Sequence, residues 1–235
     1  MIVISNKPGQ LGNLLFIYAH FLAYGKEYDI RIVNPSFYGY RSYFASTTGF
    51  SFYRNNAIYT LCYLAARILF RLSFKTRLLN VMALDWGEAV DLEQAPELKS
   101  KLCFVQGWLY RSNRLFKKHD TTIRNFFIPE ASLKNKLDLF FEKQFSDRAE
   151  TIIGIHIRRG DYKSFEGGSY FYSVEDYSMI IRQLALLFKD RKPHFLVCSN
   201  EQIVFGDELK DITISFAPGH ELLDMYALAR CHYIA

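Results

Sequence analysis

From Thr151 onward the sequence alternates short apolar runs with helix-length segments, and no other feature narrows the fold as much. The spacing predicts a strand over Thr151–Ile157, a helix over Val174–Phe188 and a strand over His194–Cys198. A polar turn with a short helix, a strand over Ile212–Ser215, a helix over Glu221–Arg230 and a final strand over His232–Ile234 complete the pattern. Strands separated by helices are joined by crossovers rather than hairpins, so this half reads as a Rossmann-like, doubly wound parallel sheet. The first half is also α/β. It reads as a strand over Ile2–Ser5, a Gly/Pro loop over Lys7–Gly12, a helix over Leu14–Tyr24 and a strand over Ile30–Val33. A Tyr/Phe/Gly/Ser-rich loop then runs through Phe52, open to either ligand contact or packing. After the apolar run Ala57–Leu72 and the acidic loop Asp85–Glu97 come a strand over Leu102–Val105 and helices over Arg111–Phe127 and Glu130–Phe145, parted by Pro129. A boundary near Ser146–Glu150 gives two domains, 1–148 with a helical insertion and 149–235.

With 235 residues, 50% hydrophobic and 23% charged, disorder and fibrous repeats are excluded. The net charge of +5 does not choose a partner, but its placement is uneven. From Ile30 to Leu84 there are seven basic residues (Arg31, Arg41, Arg54, Arg67, Arg71, Lys75, Arg77) and no acidic one, so this stretch carries +7 and the remainder −2. Arg67, Arg71 and Lys75 recur every four residues beside the apolar run, which would give a helix over 57–77 an apolar face and a basic one. Two readings fit: a core-packed helix with a solvated basic edge, or peripheral contact with a membrane surface. The arginines interrupt the run before the ~20 residues that a membrane span requires. Cys62, Cys103, Cys198 and Cys231 sit in separate apolar runs without a CxxC pair, which points to buried, reduced thiols. The start MIVISNKPGQ lacks the basic and long apolar regions of a secretion signal, so a cytoplasmic location is expected, with the inner membrane face as a variant of it. No nucleic-acid-binding module accompanies the basic stretch, and no nucleic-acid partner is expected.

The densest local chemistry is Gly154-Ile155-His156-Ile157-Arg158-Arg159-Gly160-Asp161-Tyr162. Alternation along a strand would put Ile153, Ile155 and Ile157 on one face and His156 and Arg158 on the other, with the chain emerging at Arg159-Gly160. Ligands of open α/β sheets bind beyond the carboxyl ends of strands. Two guanidinium groups there would clamp a diphosphate, each offering a planar fork of donors and a charge that pH does not remove. The plainer alternatives are a surface ion pair between Arg159 and Asp161 and a chance Arg-Gly-Asp tripeptide. A second cluster, Pro8-Gly9-Gln10-Leu11-Gly12-Asn13, links the first strand to the first helix. Its glycines would allow a tight turn and a close backbone approach to an anion, but it is neither a GxxxxGK loop nor a GxGxxG fingerprint.

His156 to Tyr162 is similar to the HxRRGDY signature of the α1,2-fucosyltransferases, glycosyltransferase family 11. Gly9-Gln10-Leu11-Gly12-Asn13 resembles the GxLGNQ loop of that family. Three further segments resemble it in order: Gln106-Gly107-Trp108 to Phe116 with Thr122 to Phe127, Gly168-Ser169-Tyr170-Phe171-Tyr172 to Tyr177, and Asp224-Met225-Tyr226-Ala227-Leu228 before Cys231-His232. The departures are Leu14 in place of Gln and Arg111 in place of the Gln of an aromatic-Gln-Ser run. The family also continues past the last matched strand, so about 40 to 60 further residues are expected beyond Ala235.

The resemblance implies a GT-B-like two-domain fold with an acceptor-side N-terminal domain and a C-terminal domain that holds GDP-fucose. It implies inverting transfer of fucose to a hydroxyl of a galactoside-type or lipid-linked glycan in an α1,2 linkage. No DxD pair occurs, so no metal is expected, and Arg158 and Arg159 would neutralise the charge that builds on the leaving diphosphate. Arg158, Asp161 and Asn13 are the candidate catalytic residues. The candidate donor contacts are His156, Arg158, Arg159, Gly9, Gln10, Gly12, Ser199, Asn200, Glu221 and Asp224. His156 reads equally as a core histidine, Asp161 as a nucleotide ligand or as an orienter of Arg159, and Glu221 and Asp224 as charges at a helix start. No general base stands out; an acid of the 85–97 loop or a phosphate oxygen could take the proton. The competing readings are another GDP-sugar or linkage, and a non-catalytic nucleotide- or glycan-binding module.

Overall fold

The computed structural model describes residues 1–48, 56–76, 79–85, 87–145 and 151–235, which form two compact units, Met1–Ala131 and Ser132–Ala235. The boundary expected near Ser146–Glu150 lies outside the described residues, as do Arg54 and Arg77 of the basic stretch and residues 49–52 of the aromatic loop.

In the N-terminal unit, strands Ile2–Ile4 (β1), Ile32–Val33 (β2), Asn80–Ala83 (β3) and Cys103–Gln106 (β5) form a parallel sheet in the order β2-β1-β5-β3. Val90–Asp91 (β4) pairs in parallel with Tyr110–Arg111 (β6). Helix Leu11–Tyr28 (α1) buries Leu14, Ile17, Tyr18, Phe21 and Tyr24. The aromatic loop is structural where it is described. Pro35–Tyr43 forms a 3-10 helix and Ala45–Thr48 a short helix (α2), and buried Phe37 and Phe44 pack against Phe127, with Phe37 also meeting Tyr18 edge-on at 5.2 Å between ring centroids. Helix Asn56–Thr76 (α3) lays Ala66 and Phe70 on Val3 and Phe104 of the sheet.

The helix expected over Arg111–Phe127 is broken into Asn113–Lys118 (α4) and Asp120–Phe126 (α5) at His119. Ser112 caps α4, its hydroxyl accepting from Leu115 N–H. The next helix, Ala131–Gln144 (α6), was expected with the first domain but packs in the second unit. Leu137 is buried with Ile152, Leu196 and Leu223, and the Ser215 hydroxyl donates to Gln144 Oε1 (3.0 Å) while lying 2.9 Å from His194 Nε2. The apolar stripe of the helix therefore covers a sheet face, which moves the boundary to its N-terminal side.

In the C-terminal unit every predicted element is present: Thr151–Ile157 (β7), Val174–Leu187 (α7), Pro193–Ser199 (β8), Thr213–Phe216 (β9), Glu221–Ala229 (α8) and Tyr233–Ile234 (β10). The parallel order is β10-β7-β8-β9. Ile153, Ile155 and Ile157 pack under Ile181 of α7, whereas Ile152, Leu196 and Cys198 face α6 and α8. From β7 the chain winds outward through β8 to β9, and α8 then returns it to β10 on the other side of β7. The order reverses at β7, and such reversals open the crevice that binds ligands in open sheets.

Gly154 explains how β10 reaches β7. A Cβ there would lie 2.7 Å from Leu228 Cδ2 and 3.0 Å from Cys231 Sγ, so any larger residue would push these side chains of the α8–β10 corner away from the strand. All four cysteines are free; Cys103 and Cys198 are buried, but Cys62 and Cys231 are half-exposed rather than buried as expected. Gly154→Val is expected to destabilise the chain by about 1–3 kcal/mol through overpacking, read as a lower thermal midpoint.

His20 is buried on α1, with Nδ1 accepting from Ser112 N–H at 3.1 Å. Burial, aided by the charge of Arg111, lowers its pKa to about 4. The unfolded chain therefore binds a proton that the folded chain refuses. His20 should leave stability intact above about pH 6.5 and reduce it by up to about 3 kcal/mol as the pH falls from 6.5 to 4. Unfolding titrations of His20→Asn, which keeps an acceptor but does not titrate, should show a shallower acid decline.

Candidate functional site

The side chains that the sequence singled out gather in two places, one in each unit. In the C-terminal unit, β7 is buried on both faces until His156, where the strand surfaces. The chain leaves it through Arg158 and Arg159 into a 3-10 turn, Gly160–Lys163. This is the carboxyl edge of the sheet, at the strand where the order reverses.

Arg158 and Asp161 form a two-pronged ion pair, with Nη2 to Oδ2 at 2.8 Å and Nε to Oδ1 at 3.2 Å. The pairing holds the Asp161 carboxyl below the usual carboxylate range and raises the pKa of Arg158. Of the two roles open for Asp161 in the sequence, nucleotide ligand or orienter of Arg159, the second is not what the geometry shows, because its partner is Arg158. The turn is the reason for the difference, since it folds Asp161 back over the guanidinium three residues before it. Arg158 also lies over the Tyr162 ring, 4.7 Å from its centroid.

Arg159 is held differently. Its N–H donates to Asn200 Oδ1 (3.2 Å), its guanidinium lies 5.0 Å from the centroid of Phe171, and Nε is 3.8 Å from Glu201 Oε2. That separation is too long for a hydrogen bond. Nε is buried with no hydrogen-bond partner among the described residues. A buried charged donor left unsatisfied is costly, and an acceptor from outside the chain would relieve it. Ser199 closes the end of β8, its hydroxyl accepting from Glu201 N–H (3.1 Å), and this turn presents Asn200 and Glu201. Gly160 leaves room for the amide: a Cβ there would sit 2.6 Å from Asn200 Nδ2.

His156 is exposed rather than a core histidine. Surrounding protein and the charge of Arg158 lower its pKa, against an opposing pull from Asp224. Asp224 plays the helix-start role: Oδ1 accepts from Gly219 N–H (3.1 Å) and His220 N–H (3.3 Å). Burial raises its pKa and these two donors oppose the rise. His220 caps α8 through Nδ1, which faces Leu222 and Leu223 N–H at 3.3 and 3.5 Å. At the start of α7, Ser173 and Asp176 form a reciprocal capping box. Both helix N-termini are therefore occupied by their own side chains. Glu221, at the first position of α8, is exposed.

The second group lies in the N-terminal unit. Gly9 has φ +84°, a left-handed turn before α1, and a Cβ there would meet Asn13 Nδ2 at 2.6 Å. Gln10 is extended and makes no side-chain cap among the described residues, and the first turn of α1 contains no acidic residue. Arg111, which replaces the Gln of the related motif, turns inward and donates to the Trp108 and Tyr110 carbonyls at 2.6 and 2.9 Å. A cavity of about 280 Å³ in this unit, bounded by Leu22, Lys26, Arg31 and Phe126, touches none of the candidate residues.

The sequence missed Phe171 as the platform of Arg159 and Tyr162 as that of Arg158. It also missed the cluster of Tyr162, Phe165 and Tyr170, whose centroids lie 5.6–6.2 Å apart. Their signal was the aromatic density of 160–172, which has no periodicity to assign it. Among the described residues no group of three or more metal-ligating side chains assembles.

A family model described as glycosyl transferase family 11 matches residues 87–211, more than half of the chain. The chain belongs to that family. No curated protein matches it. Among solved structures it is similar to the NodZ alpha-1,6-fucosyltransferase co-crystallized with GDP (15% identity, TM-score 0.56), covering 99% of this chain and 86% of that one. It is also similar to the fucosyltransferase NodZ from Bradyrhizobium (16%, TM-score 0.57, 99% and 87%) and to a mutant of Arabidopsis thaliana FUT1 in complex with GDP (13%, TM-score 0.61, 99% and 64%). The fold of this family 11 chain is thus GT-B-like, with a parallel α/β sheet in each unit.

Asn200→Ala removes the acceptor of the Arg159 amide. Hydrogen exchange at that amide is expected to quicken about fivefold, the equivalent of one ordinary hydrogen bond, with the global unfolding midpoint unchanged.

Proposed function

We propose that this family 11 glycosyltransferase moves fucose from GDP-fucose to a hydroxyl of a galactoside-type glycan in an α1,2 linkage, with inversion and without a metal ion. The observation that carries the reading is the pair Arg158 and Arg159 at the carboxyl end of β7, with Arg159 Nε making no hydrogen bond among the described residues. GDP named in the NodZ and FUT1 structures supports the choice of donor, and the motif resemblance supports the linkage.

In this mechanism the acceptor oxygen attacks the anomeric carbon on the face opposite the phosphate. The bond from that carbon to the phosphate oxygen breaks, and its electron pair stays with the diphosphate. Arg158, aimed by Asp161, stabilises the charge that develops there, and Arg159 holds the other phosphate from its perch on Phe171. The acceptor proton passes to a phosphate oxygen or to an acid of the 85–97 loop. Ser199, Asn200 and Glu221 are assigned to the nucleotide. His156, kept neutral by its lowered pKa, is assigned a hydrogen bond to the donor. Gly9, Gln10, Gly12 and Asn13 offer backbone and amide donors to a phosphate or an acceptor hydroxyl. Asp224, taken up by the α8 start, is assigned a supporting role through His156.

Turnover with GDP-fucose should persist in EDTA. Arg158→Ala should reduce kcat by at least about a hundredfold with an unchanged thermal midpoint. Metal-dependent turnover, an undiminished rate in that variant, or GDP binding without transfer by the intact protein would each overturn the proposal. A donor panel and linkage analysis of the product by NMR test the sugar and the α1,2 bond.

A further inference from the structure

Helix α3 turns its most apolar side away from the protein. Tyr59, Ala66, Phe70 and Ser73 are buried, and Ala66 and Phe70 pack on the sheet. On the opposite side Leu61, Leu64, Ile68 and Leu72 are 67%, 48%, 56% and 52% exposed and succeed one another at three- and four-residue steps, so they form one continuous stripe. Ile58 and Leu69 widen it on one flank, at 52% and 40% exposure. Arg67 and Arg71, both exposed, run along the other flank, and exposed Lys75 ends the stripe. Isolated exposed leucines are common on soluble proteins, but a contiguous apolar face of this length marks an interaction surface.

We propose that this face of α3 docks flat on an anionic phospholipid surface. The charge pattern selects the occupant. No acidic residue occurs anywhere from Ile30 to Leu84, so every charge that α3 itself carries is positive. A bilayer takes the leucine and isoleucine side chains into the boundary between headgroups and acyl chains, while the arginine and lysine stems reach back to lipid phosphates. A two-fold pairing of this face with a second copy would bring Arg67 and Arg71 of both copies together with no acid from this stretch to offset them. The helix is long and apolar enough to cross a membrane by length and composition, with a mean hydropathy of 1.4 over an 18-residue window within Ala57–Thr76. Spanning would strip Ala66 and Phe70 from Val3 and Phe104 and place Arg67 and Arg71 in the hydrocarbon. Lying in the plane keeps both sets of contacts.

The test is co-sedimentation of the full chain with vesicles of about 30% phosphatidylserine in phosphatidylcholine, against phosphatidylcholine alone. The protein is expected to partition onto the anionic vesicles and to be released as salt is raised. Neutralising Arg67→Gln and Arg71→Gln should lower partition about fivefold per charge. Leu64→Ser with Ile68→Ser should lower it at least tenfold while circular dichroism and the thermal midpoint stay the same, because both side chains already face solvent. Absence of partition onto anionic vesicles, or partition indifferent to salt and to both variants, overturns the proposal. So does a dimer in sedimentation velocity that Ile68→Ser dissolves, which would assign the face to a second copy. The experiment needs no sugar transfer, so its outcome is independent of the proposed reaction.

Discussion

Burial of β7 on both faces is the constraint from which the C-terminal unit follows. A strand that packs isoleucines against α7 on one side and against α6 and α8 on the other has no solvated face along most of its length. Polar chemistry is confined to its carboxyl end, where His156 surfaces and the two arginines leave the sheet. Gly154 extends the same constraint to topology. It leaves room for the Leu228 and Cys231 side chains of the α8–β10 corner, where β10 pairs beside β7 and the strand order reverses. The location of the arginine pair is thus a result of core packing.

The sequence was most readable where one period dominated. The alternation from Thr151 to Ile234 returned every element of the C-terminal unit, because each strand and helix before β10 is long enough to show its period and is bounded by polar turns. Two-residue strands such as β4 and β6 carry no period; β4 sits inside what reads as an acidic loop, and β6 straddles the start of what reads as a helix. The break at His119 falls between two helical patterns in phase, which spacing alone cannot part. The assignment of α6 failed for a different reason: an amphipathic helix does not announce which sheet it will cover.

At the site, the sequence located the charges but not their partners. That Asp161 serves Arg158, and that Arg159 rests on Phe171 and hangs by its amide from Asn200, follows from a turn only four residues long and from the end of a second strand, 41 residues along the chain. Neither is visible as a pattern. Of the two roles open for Asp224, the structure shows the geometry of the helix-start one, since Oδ1 accepts from Gly219 and His220 N–H groups.

The capped starts of α7 and α8 reach further than local stability. Many α/β proteins hold anions with the backbone at a helix N-terminus, a device built from the chain itself. Here His220, Ser173 and Asp176 already occupy those positions, so under the proposed function the diphosphate at this edge is left to side chains. A backbone cradle can be changed only by rebuilding a loop, whereas a side-chain clamp can be moved, lengthened or removed one codon at a time. An edge of this kind lets ligand preference drift during evolution while the sheet beneath it remains the same.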